Sequence, residues 1–212
     1  ASSEETKNYL NFLNAKKTKF FGNIKFCSSI NILKKFNSDE INPIKDKKTW
    51  CAISTHNGEE IICANIHKIL KKTQNDLLTI IIPRHIHRNK KICLELKKMG
   101  LKVQIKNENQ PFDKSAEIIL VNYFGSVKKY LNSFKQVFIG KSFLKKLKKV
   151  GGQNPIDAVK FGCSVYHGPY VSNFKEIYKH LDTNKFSYEV QTPEELEKKL
   201  IENFKEKFTK DH

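Results

Sequence analysis

Arginine is nearly missing from this chain of 212 residues: of its 39 Lys+Arg, only Arg84 and Arg88 are arginine. Proteins that read bases lean on the planar guanidinium fork, which lysine cannot imitate, so the scarcity weakens a nucleic-acid reading. Nine glycines and six prolines are too few for a collagen-like or low-complexity chain. No apolar run approaches the ~18–20 residues that a membrane-spanning helix needs. Cysteine is sparse and odd in number, at positions 27, 51, 63, 93 and 163, with no C-x-x-C spacing. That pattern points away from a zinc site or a disulfide framework and towards a reducing cytoplasm. Cys51, Cys63 and Cys93 sit in apolar stretches, where a free thiol behaves as a small hydrophobe. The opening Ala1-Ser2-Ser3-Glu4-Glu5-Thr6 is polar and acidic, unlike a signal peptide, and its lack of Met fits a piece of a longer protein.

What is abundant is lysine, and the net charge is +17. Such a balance favours nucleic acid, an anionic membrane surface or a phosphorylated substrate as partner. The 22 Ile and 19 Asn against 6 Ala match an A/T-rich codon bias that also fixes solvated lysines, so most of the charge has a bland origin. The two arginines that survive such a bias are the more informative cations. With 39% hydrophobic, 11% aromatic and 29% charged residues, the chain has enough apolar surface for a buried core.

From Lys48 onward, short apolar runs alternate with helical patterns. Strands are predicted at Thr49–Ile53, Leu77–Ile82, Leu101–Ile105, Glu117–Val121, Gln136–Ile139 and Ser164–Tyr166. Between them lie helices from about Glu59, around Ile92, Leu96 and Met99, over about Ser126–Phe134, from Pro155, and near Phe174–Leu181. The second strand is apolar except for Thr79, as in a parallel sheet buried on both faces. The expected fold is α/β: a Rossmann-like, doubly wound parallel sheet of about six strands with helices on both faces. The organisation expected is an entry segment over 1–47, a ligand-binding domain over 48–190 and a C-terminal helix over 191–212. The entry segment holds a helix near Lys7–Leu13 and the run Phe20–Phe26. The C-terminal helix starts at Thr192-Pro193-Glu194-Glu195 and carries the stripe Leu196, Leu200, Phe204 and Phe208, which must bury itself on something.

In a doubly wound sheet, ligands bind at the carboxyl ends of the strands. Four loops fall there. Ser54-Thr55-His56-Asn57-Gly58-Glu59 offers hydroxyls and N–H groups at a helix start, for an anion or for plain capping. Pro83-Arg84-His85-Ile86-His87-Arg88 puts Arg84 at the cleft rim, for a bidentate phosphate contact or a surface ion pair. The two histidines there have no third ligand in evident reach, so no metal is expected. Asn122-Tyr123-Phe124-Gly125-Ser126 carries a glycine that lets backbone approach a flat ring, or makes an ordinary turn. In Gly151-Gly152-Gln153-Asn154-Pro155-Ile156-Asp157, Asn154 caps, Pro155 starts a helix, and Asp157 either caps or accepts from a ribose diol.

This ordered set resembles the family of Kdo transferases, the 3-deoxy-D-manno-octulosonic acid transferases of lipopolysaccharide synthesis. The residues that carry the resemblance are Ser54-Thr55-His56-x-Gly58-Glu59-Glu60, Pro83-Arg84-His85, Gly125, Gly151-Gly152-x-Asn154-Pro155 and Gly168-Pro169-x-x-x-Asn173-Phe174. Gly22-Asn23-Ile24-Lys25-Phe26 looks like the stretch where that family's chain enters its C-terminal domain. The resemblance runs from about Ser2 to Phe208 and implies the C-terminal, donor-binding half of a GT-B glycosyltransferase. Its substrate would be CMP-Kdo, transferred to a lipid A precursor. By the same resemblance Pro83, Arg84, Phe124, Gly125, Ser126, Asn154, Pro155, Ile156 and Asp157 would bind CMP, with Arg84 on the phosphate and the helix dipole behind Asn154 assisting. Ser54, Thr55, His56, Gly152 and Asn173 would be secondary donor contacts. Glu59 and Glu60 read as capping and dipole partners. The chain departs from the family where Phe124-Gly125-Ser126 replaces Met-Gly-Glu, Gln153 replaces His, Asp157 replaces Glu and Asn122 replaces Asp.

The resemblance also implies that the acceptor domain, with its catalytic Glu, is absent here, so that no catalytic residue lies in this chain and the chain alone is inactive. No metal or cofactor is implied. The place implied is the cytoplasmic face of the bacterial inner membrane, with Lys141–Lys149, interleaved by Phe143, Leu144 and Leu147, as a patch for anionic lipid or as a solvated loop. In transferases of this kind the C-terminal helix often crosses to the other domain, which would leave part of its stripe exposed. The alternatives are a GT-B transferase with another nucleotide sugar and a Lys-rich nucleic-acid binder, and the scattered cations argue against specific nucleic acid.

Overall fold

The structure is a computed structural model that describes residues 4–19 and 35–210, with side chains over 6–19 and 35–205. The Phe20–Phe26 run, Cys27 and the Phe208 side chain lie outside the described residues. The chain divides into two compact units, Ala1–Leu33 and Lys34–His212. In the first, helix α1 (Glu4–Phe12) closes where the Leu13 N–H returns to the Tyr9 carbonyl and Asn14 turns left-handed at φ 59°.

The second unit opens with a short helix α2 (Ser38–Ile41). Its N-terminus is fixed by a reciprocal box in which Asn37 accepts from the Glu40 N–H and Glu40 accepts from the Asn37 N–H. Seven parallel strands follow: β1 (Lys48–Thr55), β2 (Leu77–Pro83), β3 (Val103–Lys106), β4 (Ile118–Val121), β5 (Gln136–Ile139), β6 (Ser164–His167) and β7 (Ser187–Glu189). They lie in the order β3-β4-β2-β1-β5-β6-β7, every neighbouring pair parallel. The helices between and after them are α3 (Glu59–Leu70), α4 (Asn89–Lys98), α5 (Val127–Ser133), α6 (Ile156–Lys160), α7 (Lys175–Thr183) and α8 (Pro193–Lys210). The strand count expected was about six. The seventh, Ser187-Tyr188-Glu189, is a polar three-residue edge strand with no apolar run to announce it.

Why the apolar strands do not alternate with polar residues is plain from the packing. Trp50 and Ala52 of β1 point to one core, with Ile66 and Leu70 of α3 and Leu96 of α4. Cys51 and Ile53, one residue out of phase, point to the other core, with Tyr130 and Leu131 of α5 and Ala158 of α6. Both faces are therefore covered, as a parallel sheet requires. Cys51, Cys63, Cys93 and Cys163 are buried free thiols within these cores.

Leu196, Leu200 and Phe204 of α8 are buried in the same core as Ile66 and Leu70. The stripe therefore serves this domain, and the expectation that part of it stands exposed is corrected for these three residues. Burying them fully is worth about 1.5–3 kcal/mol each before the entropy of ordering is subtracted. Among the described residues, no helix is long and apolar enough to cross a membrane.

Candidate functional site

Winding reverses between β1 and β5: β2 lies on one side of β1, and β5 returns to the other. That switch point opens a crevice at the carboxyl ends of the two strands. Two non-glycine residues stand there in the left-handed region, Ser54 at φ 56° after β1 and Lys141 at φ 61° after β5. Such conformations cost about 1–3 kcal/mol each, so the surroundings must enforce them. The β1–β2 register breaks between Ile53 and Thr55. Gly140 N–H donates to the Ile53 carbonyl at 2.8 Å, and Arg84 N–H donates to the Thr55 carbonyl at 3.0 Å. A Cβ on Gly140 would lie 2.7 Å from the Thr55 Cα, so the close approach of β5 to this loop needs glycine.

What locks the crevice is the Glu59 carboxylate, which has 0% exposure. Its Oε2 accepts from the N–H groups of His56 at 2.9 Å and Lys141 at 2.6 Å, and its Oε1 from those of Ser142 at 2.8 Å and Phe143 at 3.1 Å. Three successive amides of the β5 loop thus form an anion nest that the protein fills with its own carboxylate. Glu60 is equally committed. It accepts both guanidinium arms of Arg88, at 3.0 and 3.1 Å, the Thr55 hydroxyl at 3.0 Å and the Gly58 N–H at 3.3 Å. The two acids do accept from amides ahead of α3, as capping partners would, but they also tie three loops together.

The second arginine is free. Arg84 is exposed, and its guanidinium has no partner among the described residues. Beside it the rings of His56 and His85 meet edge-on at 5.9 Å, with His85 and His87 at 5.6 Å. Burial pushes the His56 imidazole below its ordinary value, only partly offset by the Ser54 carbonyl and Glu59. Among the described residues no three His, Cys, Asp or Glu side chains are grouped to hold a metal.

Phe124 projects from the β4–α5 loop at 81% exposure, and Gly125 follows at φ 72° with nothing within 4 Å of its Cβ position. Ser126 is buried at the start of α5 and makes no capping bond. On the far side, Asn154 Oδ1 accepts from the Ile156 N–H at 3.2 Å, while Pro155 and Ile156 are buried. Asp157 is half-buried, and its carboxylate has no partner among the described residues. Because α6 has only five residues, it offers local N–H donors and not the helix dipole expected there.

Several expected contacts turn inward. Thr55 has 0% exposure and donates to Glu60, so of Ser54, Thr55 and His56 only the first and last reach the surface. Gly152 is buried, and its N–H donates to the Lys141 carbonyl at 2.7 Å. Asn173 Nδ2 donates to the Val150 carbonyl at 2.9 Å and acts as a strut of the glycine loop. Pro83 is buried as the last residue of β2 and delivers Arg84 to the rim. Sequence reasoning missed the contacts of Glu59 with residues 141–143, because nothing local reveals a partner more than 80 positions away.

No protein-family model matches the chain. It is 30% identical to a 3-deoxy-D-manno-octulosonic acid transferase of Haemophilus influenzae over 162 residues, covering 76% of this chain and 37% of that protein. A 3-deoxy-D-manno-octulosonic acid transferase of Rickettsia bellii is 30% identical over 198 residues, covering 92% of this chain and 46% of that one. The chain thus spans less than half the length of these relatives. Among solved structures, the C-terminal CMP-Kdo binding domain of WaaA from Acinetobacter baumannii superposes with a TM-score of 0.69 at 17% identity, over 77% of this chain and 83% of that one. At that identity the match speaks for the fold.

Proposed function

Because the chain belongs to the 3-deoxy-D-manno-octulosonic acid transferase family, we propose that it is the donor-binding half of such an enzyme and takes CMP-Kdo at the crevice between β1 and β5. The observation that carries this reading is Arg84, a guanidinium with no partner among the described residues, at the rim of a crevice whose other arginine, Arg88, is held by Glu60. A planar fork with two free N–H edges suits a phosphate. Phe124 and the open backbone at Gly125 would meet the base. The Asn154–Asp157 turn would meet the ribose, with Asp157 accepting from the diol.

In the proposed reaction a hydroxyl of a lipid A precursor attacks the anomeric carbon of Kdo. The new C–O bond forms as the bond to the phosphate oxygen breaks, and CMP leaves with the electron pair. Arg84 stabilises the charge that gathers on the departing phosphate. The acceptor proton goes to a base contributed by an acceptor-side domain, so the residues described here bind and orient the donor. The reading requires no metal or cofactor.

We propose the cytoplasmic face of the inner membrane as the working place. Phe143 stacks on Phe138 at 4.8 Å and Leu144 packs against Gly58, so these two apolar members of the Lys141–Lys149 segment face inward. Lys145, Lys146, Lys148 and Lys149 are exposed around the turn. Such a loop contributes charge and not insertion, at about 1 kcal/mol per well-placed lysine on anionic lipid.

Calorimetric titration with CMP and UMP tests the donor reading. CMP-selective binding that weakens tenfold or more in Arg84→Ala is expected, since a charge-assisted contact is worth about 1.5–3 kcal/mol. Equal affinity for UMP would point to another nucleotide sugar. Binding to any polyanion that collapses with salt would point to nucleic acid.

A further inference from the structure

Resting on the nucleotide reading above, we propose that Tyr178, braced by the His167–Asp182 pair, is a positioning residue that holds the Gln153–Asp157 turn in the shape that reads the ribose. The turn has little of its own to fix it. Gly152 enters it at φ 90°, α6 is a single five-residue stretch, and Pro155 supplies no side-chain cap. On one side it is tied by the Gly152 N–H to the Lys141 carbonyl. On the other, the fully buried Tyr178 hydroxyl donates to the Gln153 carbonyl at 2.9 Å, immediately before the Asn154 that organises the helix start.

Behind Tyr178 stands a brace that crosses three elements. The buried His167 ring, at the end of β6, packs on the Tyr178 ring with centroids 4.1 Å apart. Its Nδ1 faces the Gly168 carbonyl at 2.8 Å, and its Nε2 faces both oxygens of Asp182 from α7 at 3.2 Å. Ser187 of β7 donates to the same carboxylate. Burial pushes the Asp182 carboxyl up, but the bonds from His167 and Ser187 outweigh it and hold the group below its ordinary value. Donation to Asp182 and packing against the Tyr178 ring keep the imidazole from swinging, so the Tyr178 ring lying on it is fixed as well. The brace continues to the crevice, because the Gly168 N–H donates to Ser142 Oγ at 2.9 Å and the Ser142 N–H to Glu59.

What the brace presents is Asp157. Its carboxylate accepts only, has no donor among the described residues, and sits one turn beyond Gln153. A displacement of that turn by a few tenths of an ångström would separate it from the two hydroxyls of a ribose while leaving the rest of the crevice in place.

The test compares CMP with 2′-deoxycytidine monophosphate on the wild-type chain and on Tyr178→Phe, alongside amide hydrogen exchange without nucleotide. The variant removes one oxygen and keeps the buried ring. The expected result is an about five- to tenfold rise in Kd for CMP, the deoxy analogue changing less than about twofold, and faster exchange at the Ile156 and Val159 amides. His167→Phe should move the same readouts in the same direction. A merely structural role would weaken both nucleotides alike, and that result overturns the proposal, as does exchange at Ile156 and Val159 that stays at the wild-type rate. Failure of the wild-type chain to bind CMP at all would refute the nucleotide reading. The exchange rates would then decide the brace alone: unchanged rates overturn it, and faster rates retain it.

Discussion

The Glu59 carboxylate offers the sharpest test of how the crevice is held. Glu59→Gln preserves volume and shape but converts one acceptor oxygen into an NH2 donor. In the structure each carboxylate oxygen faces two backbone N–H groups, His56 and Lys141 on one side, Ser142 and Phe143 on the other. Whichever way the amide turns, two buried N–H groups then meet another donor and lose their acceptor. Each such contact involves a charged acceptor worth about 1.5–3 kcal/mol, and the orphaned donors carry the full cost of burial. The total for the two contacts is about 3–6 kcal/mol. Against a stability of about 5–15 kcal/mol this is a large fraction, and it corresponds to a fall in Tm of about 6–24 °C for a domain this size. Lys141, held at φ 61° by the bond to Glu59, is where the loop should first relax. Urea unfolding of the two proteins measures the difference directly. A loss below about 1 kcal/mol would refute the view that this carboxylate holds the loop, and would mean that water or a rearranged backbone satisfies the nest instead.

Two further perturbations probe the frame around the site. His67 is buried on α3 with Nδ1 at 2.8 Å from the Thr79 hydroxyl and no partner for Nε2 among the described residues; burial, then Lys71 and Lys47, push it down to about 4. The folded state therefore refuses a proton that the unfolded chain accepts near 6.5. Stability is complete above that pH and falls by about 3 kcal/mol as pH drops from 6.5 towards 4, a decline that His67→Gln should flatten in unfolding curves at pH 7 and pH 5. Gly140→Ala places a Cβ 2.7 Å from the Thr55 Cα and 2.9 Å from the Ser54 carbonyl oxygen, both backbone atoms. A loss of about 2–3 kcal/mol is expected in denaturant unfolding, and an unchanged midpoint would show that the β1 loop yields.

The fold was legible in the sequence wherever burial on both faces imposes an unbroken apolar run. β2, Leu77–Pro83, is buried at every position, and its one polar member, Thr79, meets His67. β7 was not legible, because an edge strand of three residues needs no such run, and strand order was not legible because it is set by which helices cover which face. Loops at the carboxyl edge were legible as places, since glycines, Asn154 and Pro155 punctuate them. The roles inside them were not. Thr55 and Asn173 look like ligand contacts by type and position, yet Thr55 is consumed by Glu60 at the start of α3 and Asn173 by the Val150 carbonyl of the glycine loop.

The same logic explains why the two arginines, indistinguishable by composition, have opposite fates. Arg88 lies four residues after Arg84, at the end of the short 3-10 turn Ile86–Arg88, and meets a buried acid, Glu60, that would otherwise be uncompensated. Arg84 leaves β2 one residue after the last buried position and meets no carboxylate among the described residues, which leaves its charge available to the proposed donor phosphate. The carboxylates of Glu59 and Glu60 neutralise the very amides and guanidinium that would otherwise bind anions without discrimination. On the proposed reading, an incoming phosphate would meet a guanidinium not already engaged among the described residues, and the orientation of the sugar it carries would turn on the geometry at Arg84.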